Sequence, residues 1–335
     1  MPDVQSLPLS KLQFWEVLEM IDSYGRTIDY LRLSVTDQCN LRCRYCMPEN
    51  FACRGEAERM TEAELIQAVE AAAFLGIRKV RVTGGEPLVR PDIVSICQNI
   101  AAVPGIEEVC ITTNGTLLAP QADALRKAGV SRVNLSLDTL QAEKYRTMTR
   151  RDMHHRAMEG FHAALQAGFE KVKINTVLLG GWNEDETADL AALTQKYAVD
   201  VRFIEWMPMY DSGEFGDQTM IPCQKVLEYL PDAESLEQRD GVARLYRLPH
   251  AKGNIGLISP VSSHFCAFCN RLRLTADGKL KPCLHAPEEI SILGCTVKEM
   301  TVRMRQAIEA KPLQHPPLSP VSRSRSGRTM NEIGG

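Results

Sequence analysis

Between residues 30 and about 206, short β-branched runs alternate with helical patterns, and this alternation restricts the possible folds more than any other feature of the chain. The runs "YLRLSVT", "KVRVTGG", "EVCITTN", "RVNLSLD", "VKINTVLL" and "VRFIEWM" are rich in Val, Ile and Leu and closed by turn residues, which predicts strands. Helical patterns fill the gaps at about 61–75, 90–102, 119–128, 153–167 and 184–197. The first carries its own boundaries: Thr61 with Glu64 makes a capping box, and Gly76 ends the helix. Six strand-then-helix units in series predict an α/β fold, a parallel sheet with right-handed crossovers curled into a partial (incomplete) (β/α)6 barrel of the TIM type. In such a barrel functional groups collect at the C-terminal ends of the strands. Here those ends carry "TDQCNLRCRYC", "TGGEP", "TTNG", "SLD", "GGWN" and "EWMP", all richer in polar residues or glycine than the strands that feed them.

The remainder divides around this barrel. Residues 1–29 form an N-terminal segment, 30–210 the barrel, 211–310 a C-terminal region containing β-structure, and 311–335 a tail. The C-terminal region begins with a loop, then a helix near 222–230, shorter strands through "GVARLYRL" and "NRLRLTADGKLKPCL", and a helix near 296–310. The turn "ADGK" between two alternating runs predicts a hairpin. The tail is rich in Pro, Ser and Arg and is predicted to lack fixed structure on its own. The chain has 335 residues, 44% of them hydrophobic, with no leader-like start and no long apolar run, which predicts a cytoplasmic protein with no membrane span. A net charge of −3 gives no global reason to bind nucleic acid, so any anion site must be local.

Eleven cysteines, clustered and odd in number, favour metal binding over disulfide stapling. Cys39, Cys43 and Cys46 follow C-x3-C-x2-C at the end of the first predicted strand. A loop that short brings three thiolates around one cluster, yet a 4Fe-4S cube needs four ligands, so one iron is left open. The alternatives are three reduced cysteines, or a zinc site completed elsewhere. A second trio comprises Cys266 and Cys269 as C-x2-C, then Cys283 after thirteen residues; a zinc ribbon borrowing His264 or His285 is the alternative there. Cys53, Cys97, Cys110, Cys223 and Cys295 are scattered and read as small buried side chains.

"CNLRCRYC" at a strand end with "TGGEP" after the second strand resembles the radical S-adenosylmethionine superfamily. Within it, "SYGRTIDYLRLSVTDQCNLRCRYCMP", "VRVTGGEPLVR", "ITTNG", "NLSLDTL", "KINTVLLGG", "RFIEWMP", "CNRLRLTADGKLKPCL" and the terminal "GG" resemble the GTP 3′,8-cyclase family, a lyase family that opens molybdenum cofactor biosynthesis. The resemblance implies a barrel of the radical SAM type and two 4Fe-4S clusters, one on each trio. The open iron of the first would be chelated by S-adenosylmethionine and that of the second would face the guanine of GTP. It further implies that an adenosyl radical takes the 3′ hydrogen of GTP and the ribose radical attacks guanine carbon 8. The product would be (8S)-3′,8-cyclo-7,8-dihydroguanosine 5′-triphosphate. Gln38 stands where family members usually have Arg, a departure that bears only on local electrostatics.

GTP carries about four negative charges near neutral pH, so a mildly acidic chain must gather cations in one place. The resemblance assigns Arg32, Arg81, Lys173, Arg271, Leu272 and Arg273 to GTP, with Thr112 as a hydroxyl contact. Strand parity puts Arg271 and Arg273 on one face, pairs Lys79 with Arg81, and Arg202 opens the strand ending in "EWMP". Each could equally point to solvent, as strand Arg and Lys commonly do. For S-adenosylmethionine the resemblance assigns Tyr45, Gly85, Ser136 and Met207, to which Glu86 is added as an acceptor for a cationic ligand. A terminal Gly-Gly is by default a disordered end; the resemblance instead implies that Gly334 and Gly335 enter the active site and act with Arg271 and Arg273 in the chemistry. Arg323, Arg325 and Arg328 would bring charge toward the triphosphate or the rim of the sites, or belong to a solvated spacer. Implied partners are a flavodoxin-like electron donor, cyclic pyranopterin monophosphate synthase as the next enzyme, and a second copy in a homodimer. The rival readings are a peptide-modifying radical enzyme with an auxiliary cluster, which predicts no triphosphate site, and a zinc or RNA-binding protein.

Overall fold

The computed structural model describes residues 20–211 and 213–334. Six strands follow in order, β1 (Tyr30–Ser34), β2 (Lys79–Thr83), β3 (Glu108–Thr113), β4 (Val130–Ser136), β5 (Lys171–Leu178) and β6 (Val199–Glu205), all parallel to their neighbours. Between them lie α1 (Glu62–Phe74), α2 (Ile93–Ala101), α3 (Ala122–Lys127), α4 (Ala142–Thr149), α5 (His154–Gln166) and α6 (Thr187–Lys196). The capping box of α1 is formed: Glu64 N–H donates to Thr61 Oγ1 at 3.3 Å, and Thr61 N–H to Glu64 Oε2 at 2.8 Å. Gly76, at φ +82°, turns the chain out of the helix.

The C-terminal region does not form a separate layer but extends the same sheet at both edges. It supplies β7 (Glu234–Asp240), β8 (Ala243–Arg247), β9 (Ile255–Ile258), β10 (Arg271–Leu274), β11 (Lys279–Lys281), β12 (Ile290–Ser291) and the helix α7 (Val297–Glu309). β10 pairs parallel to β1, and β9 parallel to β6, so the parallel core has eight strands rather than the expected six. Antiparallel β11 and β12 continue beyond β10, and β8 and β7 beyond β9. The two outer strands β12 and β7 are not paired with each other, so the barrel stays open. Among the described residues no helix is long and apolar enough to cross a membrane.

Two further differences have local causes. The helix expected at 222–230 is a 3-10 turn over Cys223–Glu228, pinned at its start by Cys223 N–H on Glu205 Oε1 (2.9 Å) and stopped by Pro231. α4 has no expected counterpart: it is short and polar, and it ends on Arg150 in the left-handed region (φ +56°) instead of on glycine.

The two faces of the parallel strands differ in kind. Outward-pointing Leu31, Leu33, Val80, Val82, Val133, Val172, Ile174, Leu272 and Leu274 are buried beneath the helices and the chain crossing the sheet. Inward-pointing positions are polar: Arg32, Arg81, Thr112, Arg132, Ser136, Asn175 and Arg202 line a cavity of about 410 Å³. A parallel sheet buried on both faces normally reads as a continuous apolar run. The charged inner face here marks a lumen built to hold something polar.

Candidate active site

The first cysteine trio sits in the loop after β1, and the "GG" turn after β2 is why that loop can fold so tightly. Gly85 N–H donates to Thr36 O (2.7 Å) and Glu86 N–H to Gln38 O (2.8 Å). A Cβ on Gly85 would lie 2.3 Å from Gln38 O, and one on Gly84 2.5 Å from Thr36 O. The glycines are therefore required by the approach of the cysteine loop itself, while both still line the cavity. Within the loop Cys46 N–H closes a turn on Cys43 O at 3.0 Å.

Cys39, Cys43 and Cys46 all face the cavity. Burial pushes the Cys39 thiol up to about 12, and it raises Cys43 and Cys46 as well, with the neighbouring thiols adding to it. Three thiols that resist ionisation together require a cationic partner to become thiolates. Among the described residues, neither trio draws its three sulfurs together as closely as His264, Cys266 and His315 bring their donor atoms, all within 4.8 Å of one another. A 4Fe-4S cube, which spreads its ligands over separate irons, suits that wider spacing.

Tyr45, within the loop, donates to Asp138 Oδ2 at 2.6 Å, and Val177 N–H holds the other carboxylate oxygen at 2.8 Å. Burial lifts Asp138 to about 6 and Tyr45 well above its ordinary value. Glu86 is buried and raised to about 7, although Thr113 Oγ1 (2.7 Å), Asn114 N–H (2.7 Å) and Leu88 N–H (3.0 Å) all donate to it. Both carboxyls line the cavity, as do Ser136 and Met207.

The second trio lies across the same cavity. Cys266 and Cys269 bracket a 3-10 turn, Cys266–Phe268, and Cys283 follows β11. Buried Lys311 braces this corner, donating to Arg271 O (2.6 Å) and Pro282 O (2.9 Å) with its Nζ 3.9 Å from Cys269 Sγ. Burial opposes ionisation of Cys269, but Lys311, Arg271 and Arg273 together hold it below its usual value.

Between the trios runs a ladder of cations. In register across adjacent strands stand Arg273 on β10, Arg32 on β1 and Arg81 on β2, with Arg271 opposite Tyr30 and Lys79 one step below. Burial lowers Arg32 well below the ordinary guanidinium value, and Arg273 and Arg81 on either side lower it further. Arg273 falls to about 10 through burial and then Arg271. Like charges directly opposite on neighbouring strands repel, so this row favours a polyanion. Carboxylates also reach this wall: Lys79 and Arg132 pair with Glu108, and Lys173, 1% exposed, lies 3.6 Å from Asp200.

Of the residues expected to touch ligands, Lys173 and Leu272 do not line the cavity. Lys173 points inward beneath its floor, between Asn134 and Asp200. Leu272 points the other way, into the core, because it alternates with Arg271 and Arg273. Asp138, Asn175 and Arg132 were missed and do line it. Below them Asn134 is fully buried, and among the described residues neither atom of its amide finds a partner. Inward parity on β4 and β5 could have marked these positions.

The tail is ordered over this face. Arg328 Nε and Nη2 donate to Glu289 (2.6 and 2.7 Å), and Nη1 and Nη2 to Asp277 (3.0 and 2.9 Å). A last helix, α8 (Met330–Ile333), sets Met330 N–H on Cys46 O (3.3 Å) and Asn331 Nδ2 on Asp37 O (3.0 Å). Gly334 is buried and accepts from Arg273 Nη1 at 3.1 Å. Gly335 lies outside the described residues. Arg323 pairs with Asp211, so it and Arg328 bond to carboxylates instead of joining the ladder.

An open parallel barrel with a three-cysteine loop after its first strand is the architecture of the radical SAM superfamily, and the family model of that name matches residues 33–194. Residues 199–317 match the family described as Molybdenum Cofactor Synthesis C. Among solved structures, Streptococcus suis SuiB bound to S-adenosylmethionine superposes with a TM-score of 0.61 at 17% identity, over 81% of this chain and 63% of that one. Methylornithine synthase (PylB) gives 0.51 at 19%, over 61% and 62%. These share the fold. The chain belongs to the GTP 3′,8-cyclase family: it is 44% identical over 321 residues to the GTP 3′,8-cyclase of Alkaliphilus oremlandii, covering 94% of this chain and 100% of that protein. The namesake of Peptoclostridium acidaminophilum is 45% identical over 303 residues, covering 88% and 93%.

Proposed function

We propose that this chain is a radical SAM lyase that converts GTP to (8S)-3′,8-cyclo-7,8-dihydroguanosine 5′-triphosphate, the first step of molybdenum cofactor biosynthesis. The observation that carries this reading is that both cysteine trios and the Arg273–Arg32–Arg81 row face one cavity. Cys39, Cys43 and Cys46 would hold one 4Fe-4S cluster, and Cys266, Cys269 and Cys283 a second. When bound, the first cluster with S-adenosylmethionine supplies the one-electron chemistry that removes hydrogen from an unactivated ribose carbon.

The protein's own residues bind and orient. Arg32, Arg81, Arg271 and Arg273 neutralise the triphosphate, with Lys79, Arg202 and Thr112 on the same wall. Tyr45, Gly85, Glu86, Ser136 and Met207 form the S-adenosylmethionine end, where the Tyr45–Asp138 bond fixes the phenol. The tail, held by Arg328 and Asn331, brings Gly334 onto Arg273. That arrangement keeps bulk water from a reactive intermediate. The reading extends to a cytoplasmic homodimer that takes electrons from a flavodoxin-like donor. Its product would pass to cyclic pyranopterin monophosphate synthase.

The test is iron and sulfide content of anaerobically reconstituted protein, followed by GTP addition while the cluster spectrum is recorded. About eight irons per chain and a GTP-dependent change are expected. About four irons and no response would remove the second trio from the reading, and with it most of the case for GTP.

A further inference from the structure

One donor group near the cavity is unlike either cysteine trio. His264, Cys266 and His315 each place a ligating atom within 4.8 Å of the others, and no other His, Cys, Asp and Glu set among the described residues does so. The His264 and His315 rings stack with centroids 4.4 Å apart. His315 is buried, and both its ring nitrogens face carbonyl oxygens: Nδ1 is 2.7 Å from Pro316 O and Nε2 3.1 Å from Pro260 O. A neutral imidazole carries one N–H. In a neutral ring one nitrogen therefore turns a lone pair toward an oxygen; a second proton or a bound cation at that nitrogen relieves the contact. His264 is exposed, which gives an ion a path from solvent.

We propose that His264, Cys266 and His315 form a mononuclear site for a divalent transition ion of the zinc class. Two imidazoles and a thiolate select against magnesium and calcium and suit a borderline-soft ion. Three protein ligands leave the fourth tetrahedral position to water. With Nδ1–H donating to Pro316 O, the tautomer presents Nε2 to the ion, the usual arrangement behind a ligating histidine. Coordination converts the Cys266 thiol to thiolate and releases one proton to solvent, with no change of oxidation state. A consequence rests on the proposed assignment of Cys266 to the second cluster: the ion and that cluster exclude each other. Zinc then blocks assembly at the second trio while leaving the first untouched.

The experiment uses the full chain freed of clusters under anaerobic conditions. It is titrated with Zn²⁺ against a chromophoric chelator, and with Co²⁺ while thiolate-to-metal absorption is recorded. One ion per chain with a thiolate band is expected. In His264→Ala, an exposed position, affinity falls by more than the roughly 10- to 100-fold that loss of an outer-shell partner costs; His315→Asn behaves alike, and Cys269→Ala does not. No bound ion, or an affinity indifferent to both histidine variants and lost in Cys269→Ala or Cys283→Ala, overturns the site. Iron loading is then compared with and without prior Zn²⁺. Zinc is expected to cut iron uptake by about half, with His264→Ala restoring it. Full iron uptake beside bound zinc overturns the exclusion. If the zinc-free chain loads only one trio, the second-cluster reading fails while the zinc stoichiometry stands.

Discussion

Gly334→Ala isolates the tightest contact between the tail and the barrel. Gly334 sits at φ +84°, where L side chains are strained, at a cost of about 1–2 kcal/mol. A Cβ there would lie 2.3 Å from Thr83 Oγ1 and 2.9 Å from Ser34 Cβ, and forcing a methyl group into packed space costs about 1–3 kcal/mol. The docked end of the tail is then disfavoured by roughly 2–5 kcal/mol, or about 30-fold to several thousand-fold in its docked-to-undocked ratio. The upstream anchors, Arg328 on Asp277 and Glu289 and Asn331 on Asp37 O, are untouched. The melting temperature should therefore stay close to that of the wild type, while product formed per iron-matched chain falls with the docked fraction, reaching about 30-fold or more where the undocked end predominates. Adding Thr83→Ala removes the nearer atom and should recover part of the overlap cost, leaving the contact with Ser34 and the dihedral portion. Wild-type turnover in Gly334→Ala would show that the docked tail is not the working arrangement. A defect that Thr83→Ala leaves unchanged would rule out overlap with Thr83 as its cause.

Three other perturbations test separate parts of the site. Arg328→Ala removes a mostly buried guanidinium shared by two carboxylates, Asp277 and Glu289; it should lower unfolding stability by about 1.5–3 kcal/mol and speed tryptic cleavage after Arg325, and unchanged proteolysis would count against a latch. Arg273→Ala should weaken GTP binding by about 10- to 100-fold while Arg78→Ala, on an exposed pair with Glu107, changes nothing; equal affinities by calorimetry would remove Arg273 from the cradle. For Glu86→Gln the expectation concerns pH: burial raises the Glu86 carboxyl from 4.5 to about 7 in the fold, so the folded state keeps this proton longer than the unfolded chain does. That stabilisation is complete below about 4.5 and lost as pH rises toward 7, by up to about 3 kcal/mol. The unfolding free energy of cluster-free wild type should fall relative to Glu86→Gln across that window, and a flat difference would contradict it.

The six strands of the alternation were legible because each is a short apolar run closed by turn chemistry, and the structure shifts their ends by only a few residues. The edges were less legible. β9 and β10 are four-residue strands in a region without a helical rhythm, and nothing local says that one joins β6 and the other β1. That pairing is decided by distant partners. The tail's anchors were illegible for a related reason: its Pro-, Ser- and Arg-rich composition predicts no structure alone, and its order comes from Asp277, Glu289 and Asp37, each distant in sequence. The cysteine trios and inward arginines were legible as chemistry. Asp138 was not, since its role depends on Tyr45, 93 residues away.

The pairing of β10 with β1 links the stability of the fold to the assembly of the site. Leu272 and Leu274 fill the core opposite Leu31 and Leu33, and the same register sets Arg273 beside Arg32. Strand alternation has period two, so a slip by one residue would drive Arg271 and Arg273 into the core and turn both leucines into the lumen. Burying an unpaired guanidinium in an apolar layer is far costlier than losing a leucine contact, so the charged ladder cannot form in the wrong register. The second trio follows from the same lock. Cys269 stands two residues before β10, and Cys283 two residues after β11, which pairs with β10. The leucines that hold the barrel's edge thereby place three thiols and two arginines across the cavity from the first trio.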